Sequence, residues 1–314
     1  MCALAVLKIC KREFFAKKLG FHESLKILLV NHKKENMTQP SPHASVQSAT
    51  VSFDRVSNIY DSTRGLPSGV SEQITETILK IVSPTPDTKF FETGIGTGRI
   101  ALPIIQKGYS YTGIDISEKM LDELRSKLQG INHRATLYAG DATNLPFSER
   151  SFDVAITVHV FHLIANWQKA LAEVRRVLKP GGIYLYSHGR MNTATDITPA
   201  QLDFEEHWRN ILASYGHQVT RFGATEDEVL ATLREQGATL ETVIPAKWRV
   251  DLTVGELLKC YENRIYSASW YIPEDIFPRA IQDLQEWTKQ RFGSLDFDLS
   301  HEARSKFTVV RNWT

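Results

Sequence analysis

Hydrophobic and polar positions between residues 71 and 187 change repeatedly between a helical period and short apolar runs. Ile74, Ile78 and Val82 recur at helical spacing, and Ser71 stands at the start of that segment as a predicted cap. The apolar runs predict strands at 89–92, 109–114, 135–139, 153–158 and 183–187. Helices are predicted over 71–82, after Gly98, over 117–128 with Ser117 as the cap, and through Leu171, Val174 and Leu178 up to a turn at 180–182. Strands that alternate with helices predict an α/β protein with a doubly wound, mostly parallel sheet.

The alternation ends after residue 187, where longer helical patterns replace it. Helices are predicted over 200–215, 226–236, 254–265 and 273–291, a strand over 239–250, and a β-rich run over 306–313. The two late strands bring the sheet to seven, and we interpret the last run as its edge strand. The helical segments are interpreted as lid insertions over the carboxyl edge, where such sheets bind ligands. Lid and acceptor-pocket segments are expected at about 51–70, 190–222 and 251–292.

A glycine-rich turn joins the first predicted strand to the helix that follows it. It reads ETGIGTG over residues 92–98, and alternating glycines permit a tight turn and close approach of the backbone to a ligand. The dinucleotide-binding pattern G-x-G-x-x-G fails here, because Arg99 occupies the place of its last glycine. A carboxylate, Glu92, instead stands two residues ahead of the first glycine.

Acidic residues stand at or just beyond the ends of three successive predicted strands, as Glu92, Asp115 and Asp141. A pyrophosphate is bound by bare amides and a helix N-terminus rather than by carboxylates. S-adenosylmethionine (SAM) has no phosphate, but it carries an ammonium, a sulfonium, a ribose diol and an adenine amine. Carboxylates accept strong hydrogen bonds from such groups. The charges therefore match SAM better than a dinucleotide and predict SAM as the cofactor.

The motifs from residue 91 to residue 185 together resemble the core of the class I SAM-dependent methyltransferases, in the small-molecule, type 11/25-like branch. FETGIGTG, YTGIDISEKML, YAGDATNLPF, SFDVAITVHVFHLI and EVRRVLKPGGIYLYS stand in the order of that family's motifs. The resemblance implies a Rossmann-like methyltransferase fold. It also implies transfer of a methyl group to an O, N, C or S atom of a small molecule, with release of S-adenosylhomocysteine (SAH).

The resemblance also assigns residues to parts of the cofactor. The methionine end falls to the turn before the first helix, the ribose and adenine to the ends of the second and third strands. The implied cofactor residues are Glu92, Gly94, Gly96 and Gly98 at the methionine end, Asp115 on the ribose hydroxyls, Ile116 and Met120 around the adenine, Asp141 on the adenine amine and the Ala142 amide on a ring nitrogen.

Tyr60 and Arg64 lie upstream in the segment YDSTRGLP, for which no strong secondary structure is predicted. Similar enzymes use an N-terminal segment as a flap over the cofactor. The resemblance therefore implies that Tyr60 or Arg64 meets the methionine carboxylate or closes the pocket. The alternative is a surface turn with an ion-paired arginine.

His159 and His162 follow the fourth predicted strand, where the methyl acceptor is expected. Transfer from a sulfonium needs mainly positioning and exclusion of water. A base is needed only for an acceptor that must lose a proton, a task that histidine suits near neutral pH. Both are candidate catalytic residues; in the alternative, His162 packs under the next helix and His159 only lines the cleft. No further ligand residues accompany this pair, so no metal is predicted.

The acceptor pocket is expected near residues 264–271, which are rich in aromatic and hydroxyl side chains. Trp208, Tyr215 and Trp248 are further candidates for its wall. The alternative is that all of these side chains serve ordinary packing within the lid.

The charge balance disfavours nucleic acid as a partner. The 37 basic and 36 acidic residues leave a net charge of +1, which gives no general attraction to phosphate backbones or anionic membranes. No Asp/Asn-Pro-Pro-aromatic run follows the fourth strand, which argues against methylation of exocyclic amines of bases. No apolar run reaches the ~18 residues of a membrane span. The three cysteines lack metal-ligand spacing and fit a reducing, cytoplasmic setting. A small-molecule acceptor is therefore expected.

Residues 1–50 are expected to be a flexible or dispensable extension of a methyltransferase domain over 51–314. The first 36 residues are basic, with Leu and Phe interleaved. The alternative is a basic amphipathic helix that touches a membrane or targets an organelle.

Two other functions compete with methyl transfer. An NAD-linked oxidoreductase is disfavoured by Arg99 and by the three carboxylates. A non-catalytic cofactor-binding protein on the same fold is the second alternative, and no missing cofactor residue favours it.

Overall fold

Seven strands form one mixed sheet in the computed structural model, which describes residues 50–188, 197–219 and 221–313. The strands are β1 (Lys89–Thr93), β2 (Ser110–Asp115), β3 (Arg134–Ala139), β4 (Phe152–Val158), β5 (Leu178–Ser187), β6 (Thr239–Val250) and β7 (His301–Arg311). Their spatial order is β3-β2-β1-β4-β5-β7-β6. Strands β1 to β5 are parallel, and β7 is antiparallel to both β5 and β6. The prediction of a doubly wound, mostly parallel sheet is confirmed.

Helices connect these strands and cover the sheet. They are α1 (Ser57–Arg64), α2 (Val70–Val82), α3 (Ala101–Gln106), α4 (Glu118–Leu128), α5 (Trp167–Val177), α6 (Pro199–Ser214), α7 (Glu226–Glu235), α8 (Val254–Glu262) and α9 (Phe277–Phe292). Ser117 caps α4 as predicted, since its hydroxyl accepts a hydrogen bond from the Met120 amide. The expectations for residues 1–49 and for 189–196 lie outside the described residues.

Apolar helix faces cover both sides of the sheet. On one side Ile74 and Ile78 of α2 belong to a buried cluster with Ile156 of β4. On the other side Leu171 and Val174 of α5 belong to a second cluster. Strands that are buried on both faces read as nearly continuous apolar runs, which explains why the sequence pattern predicted them well.

The lid helices have a third apolar cluster of their own. Phe204 and Trp208 of α6 pack there with Leu257 of α8, Leu284 of α9 and Ala303 of β7. Strand β6 pairs with β7 from Thr239 to Val250, whereas the residue pairs of β5 with β7 extend only from Tyr184 to Tyr186. The β6–β7 ribbon therefore runs past the carboxyl end of β5 and supports the lid there.

The prediction that the last strand forms the edge of the sheet is wrong. Strand β7 lies between β5 and β6, and β6 is the edge. The burial of the two strands explains this order, because Phe307, Val309 and Val310 of β7 are fully buried whereas most residues of β6 are exposed or half-buried. Alternating polar positions in β6 were the signal of an edge strand.

Three local predictions also need correction. Helix α1 occupies the segment around Tyr60 that was predicted to lack regular structure. Helix α2 begins after Gly69, whose backbone has the left-handed conformation, and the Ser71 side chain does not cap the helix. The turn predicted at 180–182 lies inside β5, where Gly181 has a positive φ of 75° and the pairing with β4 is irregular.

In the described part of the chain, no helix combines the length and apolarity needed to cross a membrane.

Candidate active site

A cavity of about 720 Å³ lies at the carboxyl ends of the central strands, where the strand order reverses between β1 and β4. This is the position at which doubly wound sheets bind ligands. The cavity brings together most of the residues predicted from the sequence: Tyr60, Arg64, Gly94, Gly96, Asp115, Ile116, Met120, Ala142, His159 and His162.

The glycine turn presents bare backbone to this cavity. The amides of Gly94 and Ile95 both donate to the Ile114 carbonyl, at 2.8 and 3.1 Å. Gly94 has a positive φ of 68°, and a Cβ added there would lie 2.4 Å from a methyl group of Val160. Only glycine fits this conformation and this space without strain. The sequence therefore keeps side chains out of the wall beside β1.

Asp115 connects the glycine turn to the end of β2. Its Oδ2 accepts a hydrogen bond from the Gly96 amide at 2.9 Å, and its Oδ1 accepts one from the Ser117 amide at 2.9 Å. Burial raises the pKa of this carboxyl, and the backbone amides of Ser117, Gly96 and Ile116 oppose that shift. A carboxylate has about four acceptor positions, so each oxygen retains a lone pair for a ligand in the cavity.

Glu92 lies behind the turn and is only 2% exposed. The hydroxyl of Tyr111 donates to its Oε2 at 2.6 Å, and burial raises the pKa of Glu92 to about 8. The carboxyl lines a recess of about 30 Å³ together with Gly94, Gly96 and Arg99. It therefore holds a proton at neutral pH, and a cation placed in the recess would favour its charged form.

Three predicted cofactor residues do not line the main cavity: Glu92, which lines only the recess, Asp141 and Gly98. Asp141 is exposed, and its Oδ1 accepts a hydrogen bond from the Thr143 amide at 2.8 Å, although the neighbouring Gly140 and Ala142 do line the wall. Gly98 has a positive φ of 80°, and a Cβ there would lie 2.4 Å from Leu124. A direct contact of Asp141 or Gly98 with the cofactor stays a prediction.

Helix α1 is tied to the glycine turn by polar contacts. Asp61 accepts a hydrogen bond from the Thr97 hydroxyl at 2.6 Å and forms an ion pair with Lys127 at 2.5 Å. Arg99 donates to the Arg64 carbonyl at 3.1 Å. These contacts hold α1 beside the glycine turn, where Tyr60 and Arg64 line the cavity; the role of α1 as a flap over the cofactor stays a prediction.

Replacement of Asp61 by Ala is expected to weaken SAM binding about threefold to tenfold, because it removes an ion pair that is partly exposed and one hydrogen bond. Calorimetric titration with SAM measures the effect. Glu118→Gln is the matched control, since it breaks an ion pair with Arg125 that is largely exposed. Equal affinities for the two variants would contradict the role of Asp61 in holding the flap.

Arg64 joins the flap to the lid. One of its nitrogens donates to the Ile265 carbonyl at 2.6 Å, and its guanidinium lies over the rings of Tyr60 and Phe53. Arg99 lines the same cavity, and its buried Nε has no hydrogen-bond partner among the described residues. Two guanidinium groups thus accompany the carboxyls of Glu92 and Asp115, an arrangement suited to a ligand that carries both charges.

His159 and His162 line the cavity just beyond the carboxyl end of β4. His159 has a positive φ of 62°, which is uncommon for a residue with a side chain and marks functional sites often. Its Nε2 and the Nδ1 of His162 are buried and have no hydrogen-bond partner among the described residues. Burial lowers the pKa of His159 well below its usual range. Burial is also the main reason that the pKa of His162 is lowered to about 4. Both rings are uncharged near neutral pH.

Sequence reasoning missed His188 and Tyr111. The ring of His188 lies 5.8 Å from that of His162, and its Nδ1 contacts the Tyr186 hydroxyl at 2.6 Å. His188 directly follows β5, so the same rule of strand ends that singled out His159 also pointed to it. Tyr111 had no such signal, because a buried tyrosine within a strand reads as core until its partner Glu92 is known.

The remainder of the cavity is lined mainly by apolar and aromatic side chains of the lid. The expected wall residues Trp208 and Trp248 line it, as do Tyr266, Ser267, Ala268 and Ser269. Tyr215 is not part of this wall; its hydroxyl donates to Asp283 at 2.7 Å. The cavity therefore has a polar half at the glycine turn and a mostly apolar half under the lid.

Comparisons with known proteins agree with this site. Residues 91–186 match a family model described as a methyltransferase domain. The demethylmenaquinone methyltransferase of Clavibacter sepedonicus is 34% identical over 131 residues, which cover 41% of this chain and 53% of that protein. The malonyl-[acyl-carrier protein] O-methyltransferase of Serratia marcescens is 26% identical over 194 residues, 58% of this chain and 73% of that protein. The match thus spans about half the length of the first relative.

A solved structure shares the fold. The YcgJ protein from Bacillus subtilis aligns with a TM-score of 0.52 and 18% identity, over 77% of this chain and 99% of that protein. Similarity at this level of identity supports the architecture of the sheet and its helices. The architecture is the Rossmann-like fold expected from the sequence.

Proposed function

Because residues 91–186 of this chain form a class I SAM-dependent methyltransferase domain, we propose that the protein transfers a methyl group from SAM to a small-molecule acceptor and releases SAH. The observation that carries the proposal is the placement of Asp115 at the cavity wall, where its two oxygens hold the Gly96 and Ser117 amides and retain lone pairs for a diol. The described parts of residues 51–70, 190–222 and 251–292 are proposed to close over the two ligands.

The residues of the polar half fit the charges of SAM. Glu92 is proposed to accept the ammonium group, and Arg64 or Arg99 to meet the carboxylate of the methionine end. Asp115 is proposed to accept hydrogen bonds from the ribose hydroxyls. Ile116 and Met120 are proposed to flank the adenine, with Asp141 and the Ala142 amide at its polar edge. The bare backbone of Gly94 and Gly96 leaves room for the ligand between these groups.

When bound, SAM supplies a methyl group that is already activated by its sulfonium. The protein's own residues then have to bind, orient and exclude water. Lid residues such as Trp208 and Trp248 are proposed to surround the acceptor. His159 or His162 is proposed to form a hydrogen bond with the acceptor or to take its proton, since both rings are uncharged near neutral pH.

Calorimetric titration of the full chain with SAM, SAH and NAD tests the proposal. We expect SAM and SAH to bind and NAD to show no binding, because the site presents carboxyl groups where a pyrophosphate would need amide donors. Binding of NAD alone would favour the oxidoreductase. If SAM binds but no SAH forms with any compound of a metabolite panel, the non-catalytic alternative is favoured instead.

A further inference from the structure

Building on the proposed methyl transfer, we infer that the acceptor is a flat aromatic molecule that presents an acidic hydroxyl oxygen, rather than an amine, to His159. The inference concerns the half of the cavity under the lid and His159, which lines the same cavity.

The walls under the lid favour a flat ring. Tyr261 lies edge-on to Trp208 at 5.5 Å and to Tyr266 at 5.4 Å, measured between ring centres, and all three line the cavity. Aromatic side chains in such arrangements bury other rings with specific geometry. Trp248 adds a directional feature, because its indole N–H is buried and has no hydrogen-bond partner among the described residues. An oxygen on the ring system would satisfy that donor.

Two guanidinium groups accompany His159 in the wall of the cavity. Arg64 of α1 and Arg99 after β1 both lower the pKa of His159, as do the rings of His162 and His188, and burial is the largest cause. Glu205 and Arg209 of α6 are the other charged side chains of the lid half of the wall, but neither is among the main influences on His159. Arg64 and Arg99 are thus the permanently charged groups that influence His159 most, and both line the same cavity.

The two guanidinium groups favour an oxygen atom over a nitrogen atom as the methyl acceptor. An amine that binds as an ammonium, or that becomes a cation on methylation, would add positive charge beside the two guanidinium groups that line the cavity with His159. An ionised phenol or enol oxygen would be stabilised by the two guanidinium groups. A neutral imidazole with its proton on Nε2 would donate to that oxygen and satisfy a buried nitrogen that otherwise has no partner.

The test uses two probes of the same shape, 7-hydroxy-4-methylcoumarin and 7-amino-4-methylcoumarin. Each is titrated into the full chain, both unliganded and saturated with SAH, at pH values below and above the ionisation of the hydroxyl. We expect the hydroxyl probe to bind at least about tenfold more tightly than the amine probe. Only the ionised oxygen can accept a charge-assisted hydrogen bond from His159. Its affinity should rise as the hydroxyl ionises, whereas that of the amine should not.

A pair of variants locates the preference. His159→Asn keeps a residue type that tolerates positive φ and is expected to remove most of the preference for the hydroxyl probe. His133→Asn is the control, because His133 is exposed and precedes β3 at the opposite edge of the sheet; it should leave the preference unchanged. Thermal melts confirm that both variants fold.

Three results would overturn the inference: equal or tighter binding of the amine, no binding of either probe, or an undiminished preference in His159→Asn. The titration with SAH alone reports separately on the proposed function. Failure of SAH to bind would reject methyl transfer, while the coumarin titrations into the unliganded chain would still decide the charge preference of the lid half.

Discussion

Replacement of Asp115 by Asn is expected to lower the affinity for SAM by about 100-fold or more, since a buried amide is left unsatisfied and a charge-assisted contact is lost. The two carboxylate oxygens of Asp115 each accept a backbone amide, from Gly96 and from Ser117. An Asn side chain has one oxygen and one NH₂ group. In either orientation the NH₂ group of Asn faces one of the two backbone N–H groups, and two donors cannot form a hydrogen bond. The side chain therefore loses its bond either to the glycine turn at Gly96 or to the start of α4 at Ser117.

Calorimetric titration with SAM measures this loss, and Asp122→Asn is the matched control. Asp122 lies on α4, a few residues further along the chain, and its ion pair with Arg125 is exposed. Exposed pairs of this kind contribute little to stability, so the control should bind SAM like the unaltered chain. An affinity of Asp115→Asn within about threefold of that of the unaltered chain would contradict the assignment, because a lost charged hydrogen bond exceeds that change.

The part of the site that the sequence predicted well lies at the ends of the parallel strands, where the same strand–loop–helix pattern is repeated. Each parallel strand ends at the same edge, so the residues after β1, β2 and β4 had to meet there once the alternation of strands and helices was recognised. Gly94, Asp115 and His159 follow from that rule, and all three line the cavity. The same rule extended to β5 leads to His188.

The lid and the order of its strands depended on tertiary pairing that no local pattern encodes. Strand β6 was predicted with the bounds that it has in the structure, yet its partner was not identifiable, because antiparallel pairing joins residues as far apart as Thr239 and Arg311. Likewise, α1 is short, and its contacts with Thr97 and Lys127 lie outside its own segment. Helices of this length have little stability without such packing.

Replacement of Glu92 by Gln is expected to have opposite effects on stability and on binding. Glu92 has a pKa of about 8 in the folded chain and an ordinary value of 4.5. The folded state therefore keeps a proton that the unfolded chain releases between these pH values. The contribution of this group to the free energy of unfolding is complete below pH 4.5, and it falls by about 1.4 kcal/mol for each pH unit up to about pH 8.

Gln cannot ionise, and it still accepts the hydrogen bond of Tyr111, so Glu92→Gln escapes this loss. At pH 8 this linkage makes the variant more stable relative to the unaltered chain by about 4 kcal/mol than it is below pH 4.5, in denaturant titrations at each pH. Glu118→Gln, an exposed change on α4, should show no such dependence on pH.

The same change should weaken SAM binding about tenfold to 100-fold, because a neutral amide replaces the carboxylate proposed to accept the ammonium. In the unaltered chain near pH 7, SAM binding should expel the proton of Glu92, which calorimetry in buffers of different ionisation enthalpy detects; in Glu92→Gln this release should disappear. A variant that is stabilised at pH 8 but binds SAM normally would place the ammonium elsewhere. One that gains no stability would mean that Glu92 is ionised in the folded chain. The energetic cost of keeping a carboxyl beneath the glycine turn is thus expected to be recovered only when a cation binds there.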